Sequence, residues 1–118
     1  MNRSLLKNEV LAIDLHGAYI RRVSLRGAIL DHANLTGADC KGADFSSTRL
    51  RSAILRNADF ANANLRGAEF ENAELDGANL SGADLTGARH MTVQQLRAAI
   101  VDSETILSAE LRDALLAR

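Results

Sequence analysis

Large apolar residues recur along this chain at every fifth position. From Ile13, sixteen consecutive quintets run to His90, each with a small residue two places before a central one. The centres are Leu15, Ile20, Leu25, Leu30, Leu35, Cys40, Phe45, Leu50, Leu55, Phe60, Leu65, Phe70, Leu75, Leu80, Leu85 and His90. Alanine fills the small position except at Ile13, Val23 and Thr48, and the residue between small and centre is mostly Asp, Asn or Glu. All eight glycines fall in one phase of the repeat, and all three phenylalanines in another.

A period of five fits neither the 3.6 of an amphipathic helix nor the 2.0 of a half-buried strand, so the chain must turn after every quintet. Two residues of each quintet point inward, the polar one between them points out, and the following Gly, Asn or Ser supplies a corner tolerant of positive φ. With corners near a right angle, four quintets close one square coil of twenty residues. Coils stacked at the strand spacing of ~4.8 Å then make a rod of four coils, ~19 Å long. The predicted core is a set of columns: Leu15, Leu35, Leu55 and Leu75 in one, Phe60 below Cys40 in the next, and Phe45 and Phe70 in the other two.

The quintets read Ala, then Asp or Asn, then Leu, then two freer positions, as in Ala33-Asn34-Leu35-Thr36-Gly37 and Ala83-Asp84-Leu85-Thr86-Gly87. In this the chain resembles the pentapeptide-repeat family over residues 13 to 90. The resemblance implies an all-β solenoid, a right-handed quadrilateral β-helix of about four coils with a short C-terminal α-helical cap. Its handedness comes from the resemblance and not from spacing.

A solenoid leaves strand edges open at its ends unless they are covered. Residues 1–12 are expected to form an N-terminal cap segment, 13–90 the β-helix and 91–118 the C-terminal helical cap. Thr92 with Gln95 reads as a capping box opening a helix that places Val93, Leu96, Ala99 and Ile100 on one face. Ser108 reads as the N-cap of a second helix carrying Leu111, Ala114 and Leu115.

At 118 residues a single domain is expected. No signal-peptide pattern is visible and no run approaches the ~20 apolar residues that span a bilayer, so a cytoplasmic protein without membrane contact is expected. The lone Cys40 occupies a core centre and reads as a small buried hydrophobe.

An enzyme is not expected, nor a cofactor, a metal or a small-molecule substrate. His32 and His90 lie three coils apart, ~14 Å, too far to share an ion. No Ser or Thr is expected beside a histidine on the next coil, and the stacked carboxylates Asp39 and Asp59 fall on an exposed convex wall.

Charge is uneven. Residues 1 to 30 carry five basic and two acidic side chains, with Arg21, Arg22 and Arg26 clustered; residues 31 to 90 carry six and nine. Asp31, Arg51 and Glu71 alternate down one column, and Arg49, Glu69 and Arg89 beside them, as on a mixed soluble surface.

The leading expectation is a noncatalytic protein-interaction or scaffold module, its partner unidentified and a homodimer among the options. Its candidate surfaces are the outward apolar Ile29 and Ile54, and Tyr19 with Arg21 and Arg22. The resemblance implies an alternative, since members that protect DNA gyrase from quinolones or toxins are thought to imitate a DNA duplex. A duplex carries one charge per ~1.7 Å, so a ~19 Å rod needs about eleven uncompensated negative charges, against a repeat region netting −3. A third reading, nucleic-acid binding through the basic end, rests on five cations without interleaved aromatics and is not favoured.

Overall fold

A computed structural model describes residues 12–117, and the expected N-terminal cap segment lies outside the described residues but for Ala12. From residue 13 the chain is a square solenoid built from one repeated corner. The carbonyl of each centre from Leu15 to Leu85 accepts the N–H three residues on, as Leu15 does from Ala18 at 3.0 Å. The second corner residue has positive φ throughout, from 56° at Ser47 to 72° at Gly27 and Gly87. With the first corner residue at negative φ, this is the type II turn. Glycine dominates there because the left-handed region costs an L-residue roughly 1–2 kcal/mol, a cost that Asn bears better than most.

Three residues between corners leave room for one bridging residue per wall per coil. Each bridge is parallel and, within the repeats, joins a residue to its counterpart twenty places on: Asp14 to Asn34, Tyr19 to Asp39, Ser24 to Asp44, Ile29 to Arg49, and so down to Glu69 with Arg89. The bonding is reciprocal. Leu15 N–H donates to the Asn34 carbonyl at 2.7 Å, and Asn34 N–H donates to the Ile13 carbonyl at 2.8 Å. Four walls follow, with bridge columns beginning at Asp14 (wall 1), Tyr19 (wall 2), Ser24 (wall 3) and Ile29 (wall 4).

Centres and small residues fill the interior. Leu35, Leu55, Leu75, Phe45, Phe60 and Phe70 are fully enclosed, and the small-position alanines from Ala33 to Ala83 are buried beside them. Leu15, in the first coil, is only half-buried. Phe45 and Phe60, on adjoining walls of successive coils, meet edge to face with ring centroids 5.1 Å apart. Cys40 sits directly above Phe60 in its column, so a small side chain neighbours a large one and the section stays constant.

The sixteenth centre breaks the pattern. His90 holds the phase of an interior centre, but its φ of 58° places the positive-φ corner conformation two residues early, and the ring is exposed. Met91 is buried in its stead. Helix α1 (Val93–Ala98) then runs where the fifth coil's first wall would lie, opened by the expected Thr92–Gln95 capping box. The Gln95 amide also donates to the carbonyls of Phe70 and Ala73, at 2.8 and 2.9 Å, sharing the first with the corner N–H of Ala73 and meeting the second where no further coil follows.

Ile100 does not continue that helix as the spacing predicted. It forms a bridge with Asn79, and Ile106 forms one with Asp84, so walls 2 and 3 each gain a fifth rung. Val101 and Leu107 pack on the core beneath them, and the buried Thr105 hydroxyl donates to the Leu80 carbonyl at 2.8 Å. Helix α2 (Ala109–Leu116), capped by Ser108, lies against the core through Leu111 and Leu115. Arg97 of α1 donates to the carbonyls of Ala114 and Ala117, tying the two helices.

Phe60→Ala is expected to lower the unfolding free energy by about 3–5 kcal/mol and Cys40→Ala by a small fraction of that. Urea denaturation followed by circular dichroism checks this, and equal losses would contradict the packing of Phe60 against Phe45.

Candidate functional site

The bridge positions explain why this surface is built from Asp and Asn. Their side-chain oxygens accept the N–H two residues on, at the corner: Asn34 from Thr36, Asp44 from Ser46, Asp59 from Ala61, Asn79 from Ser81 and Asp84 from Thr86, at 2.9 to 3.0 Å. Each bond satisfies a corner donor that the lateral ladder does not use. Tyr19, Ile29 and Ile54 cannot do this, so they stand out as side chains without a local structural task.

A second layer covers the first. Long cations at the first corner position reach down one coil to the bridge carboxylate eighteen residues later. Arg21 meets Asp39 at 2.6 Å, Lys41 meets Asp59 at 3.4 Å and Arg66 meets Asp84 at 3.1 Å, and Arg56 pairs with Glu74 in the same way. On wall 4 the pairs join into a network, Arg49 with Asp31 at 2.8 Å and Arg51 with both Glu69 and Glu71. Asp39 and Asp59 are therefore half-buried and ion-paired, where an exposed pair of carboxylates was expected. Hydrogen bonding from Arg21 holds the Asp39 carboxyl below its ordinary range; for Asp31, burial pushes upward most strongly of any one cause, but the Arg49 guanidinium and the Arg51 backbone N–H and charge together outweigh it.

Tyr19 is 89% exposed and Ile29 64%, on walls 2 and 4 of the first coil, whereas Ile54 is half-buried on wall 1. The structure thus separates the two isoleucines around a corner. Arg21, Arg22 and Lys41 line a shallow groove of about 490 Å³ at the corner of walls 2 and 3, and Arg22 runs over Gly42. Arg26 lies at the next corner, in a groove of about 380 Å³ shared with Arg66. Both grooves are open to solvent.

The histidines require a correction. Twenty-residue register sets His16 over Thr36 and His32 over Ser52, alignments the sequence reading did not expect. They make no nucleophile: the Thr36 hydroxyl donates to Asn34 at 2.6 Å, and the His16 ring faces its neighbour Asp14 at 2.7 Å in the open. Burial pushes the Cys40 thiol up to about 12, so it is not a thiolate at neutral pH.

The sequence did not show the outward placement of three residues, because they follow the last quintet. Ile100, 53% exposed, and Ile106, 49% exposed, end the columns of walls 2 and 3. Asp102 accepts from the N–H of Gly82 at 3.1 Å, placing a carboxylate at the foot of the corner column headed by Arg22.

The repeated corner, the twenty-residue register and the polar bridge columns find their counterpart in a known family. Its profile, described as Pentapeptide repeats, matches residues 13–51 and 53–89. The chain belongs to the pentapeptide-repeat family. Among solved structures, this pentapeptide-repeat protein is similar to Rfr23 of the cyanobacterium Cyanothece 51142. The two are 30% identical over 86% of this chain and 68% of that one, with a TM-score of 0.76. A pentapeptide repeat protein of the Arabidopsis thaliana thylakoid lumen is also 30% identical, over 87% and 70%, with a TM-score of 0.50. QnrB1, a plasmid-mediated fluoroquinolone resistance protein, matches at 24% identity over 86% and 63%, with a TM-score of 0.43, a likeness that carries no functional argument. No curated protein matches the chain.

The structural neighbours are right-handed quadrilateral β-helices, the architecture seen here. Pentapeptide-repeat proteins are generally noncatalytic structural or interaction proteins. No helix among the described residues is long and apolar enough to cross a membrane.

Backbone hydrogen bonding from Gly82, stronger than the desolvation that opposes it, holds the exposed Asp102 carboxyl below its ordinary range. A depressed folded pKa means that the charged form stabilises the cap above the unfolded value of ~3.9, and that this contribution fades as pH falls through the folded pKa. In a carboxyl NMR titration Asp102 is expected to protonate at lower pH than an Asp in an unstructured peptide; a midpoint at or above the peptide value would contradict the bond.

Proposed function

We propose that this protein is a noncatalytic interaction or scaffold module whose walls receive another protein. The supporting observation is that the described interior is filled mainly by Leu, Phe and Ala, while the two corner grooves beside Arg22 and Arg26 are shallow and open. Enclosure from water, which reactive sites and small-molecule sites use, has no place to form there. What the walls offer is a fixed pattern of side chains on a stiff backbone.

Within this reading the partner meets the apolar positions Ile29 and Ile54. Asp is the residue these bridge positions favour structurally, since it accepts the corner N–H two residues on. Ile29→Asp with Ile54→Asp should therefore leave the circular-dichroism spectrum and melting temperature near those of the parent. Capture of a defined partner from the native cell, quantified by mass spectrometry, is expected to drop by about tenfold or more, a loss typical of hot-spot truncation. Undiminished capture would remove this surface from the reading.

The DNA-imitating reading is weakened by the ion pairs. Of the nine acids between residues 31 and 90, Asp31, Asp39, Asp59, Glu69, Glu71, Glu74 and Asp84 lie within 4.0 Å of a cation. A gyrase supercoiling assay is expected to show neither inhibition nor protection from quinolone at micromolar protein; either effect would reinstate that reading. Nucleic-acid binding is weakened likewise, because Arg21 and Lys41 are engaged by Asp39 and Asp59.

A further inference from the structure

The columns of wall 2 and its adjoining corner have opposite ends of complementary character. Wall 2 reads Tyr19, Asp39, Asp59, Asn79 and Ile100, so an exposed aromatic heads the column and an exposed isoleucine ends it. Four rungs separate them, ~19 Å at the strand spacing. The corner beside this wall is cationic at the top, where Arg22 has no described carboxylate partner. It is anionic at the foot, where Asp102 and the exposed Glu104 follow Ile100.

We propose that wall 2 is a self-association surface, joining two copies of this chain side by side and antiparallel about a two-fold axis across the middle of the wall. Such an axis reverses the direction of the rod but keeps each corner opposite its own counterpart. Tyr19 of each copy then lies on the partner's Ile100, and Arg22 lies opposite the partner's Asp102 and Glu104. Every contact occurs twice, as an isologous interface requires. A parallel two-fold arrangement would instead set Tyr19 on Tyr19 and turn the corner of Arg22 toward the partner's corner between walls 1 and 2, away from Asp102 and Glu104.

Asp59 falls at the axis and faces its own copy. Its charge is already met by Lys41 at 3.4 Å, and the Asn79 amide donates to it at 3.3 Å, so the centre is neutral enough to close. Asp39 meets the partner's Asn79, an acceptor opposite a donor. The same corner groove is poorly suited to a phosphate. Arg21 and Lys41 are engaged by carboxylates that such an anion would have to displace, which leaves Arg22 alone to hold it.

One narrow wall buries less than the ~1,200 Å² of a stable complex, so association is expected in the micromolar to millimolar range and to weaken with salt. The proposal holds whether or not another wall receives a partner protein.

The test is sedimentation velocity on the full chain over a concentration series, with charge-swapped variants. Arg22→Glu and Glu104→Arg are each expected to weaken dimerisation by about tenfold, because two-fold symmetry doubles each lost pair. The double variant should return to within about twofold of the parent if the two charges meet. For orientation, Tyr19→Cys protein mixed with Ile100→Cys protein should form an intermolecular disulfide under mild oxidation, while each alone should not. Circular dichroism confirms folding of every variant. A protein that stays monomeric up to millimolar concentration, a double variant no better than the singles, or cross-linking by Tyr19→Cys alone would each overturn the proposal.

Discussion

Everything in this molecule depends on the lateral ladder that ties each residue to its counterpart twenty places away. That ladder forms only if every corner turns by the same amount, and the type II corner secures this by demanding positive φ at its second residue. Once the corners are equal, side chains of one phase stack in columns, and the core becomes a one-dimensional problem in which each rung need fit only the rungs above and below it. Cys40 over Phe60 is one solution to that problem, and the edge-to-face contact of Phe60 with Phe45 is the lateral half of it.

The polar surface follows from the same ladder. Lateral bonds leave one corner N–H in each quintet without a ladder partner, and the bridge Asp or Asn accepts it. The carboxylates so recruited would repel one another down a column, and cations from the coil above answer them, as Arg21 answers Asp39 and Arg66 answers Asp84. The walls are thus largely occupied with their own chemistry. Residues exempt from these duties, Tyr19 and Ile29 above all, are where contacts with other molecules have room to develop.

Phase alone made much of this legible. The two inward positions, the corner glycines, the four columns and the Thr92–Gln95 box were all readable, because each is fixed by spacing within a regular repeat or by a short local motif. What was not legible lies where regularity ends. His90 keeps the phase of a centre but adopts the corner conformation, a choice made by the chain that follows it, and Met91 takes the interior place. Ile100 and Ile106 bridge to Asn79 and Asp84 one and two residues beyond the twenty-residue register, so counting could not find them. The ion pairs were obscured differently. Reading columns at twenty residues finds vertical neighbours such as Asp31 and Arg51, whereas long side chains lean back along the wall and meet partners at eighteen.

Equivalence of the four corners has a consequence for how such surfaces change over evolutionary time. Loss of a single quintet between two corners would leave every interior column filled with Leu, Phe or Ala, since all four walls use the same inward residues. Below the lesion, however, every outward residue would migrate to the neighbouring wall, so the lower half of the surface would rotate a quarter turn against the upper half. A lineage can in this way reshuffle which faces lie in line, parting Tyr19 from Ile100 or bringing other residues into a shared stripe, without disturbing the packing that keeps the rod folded.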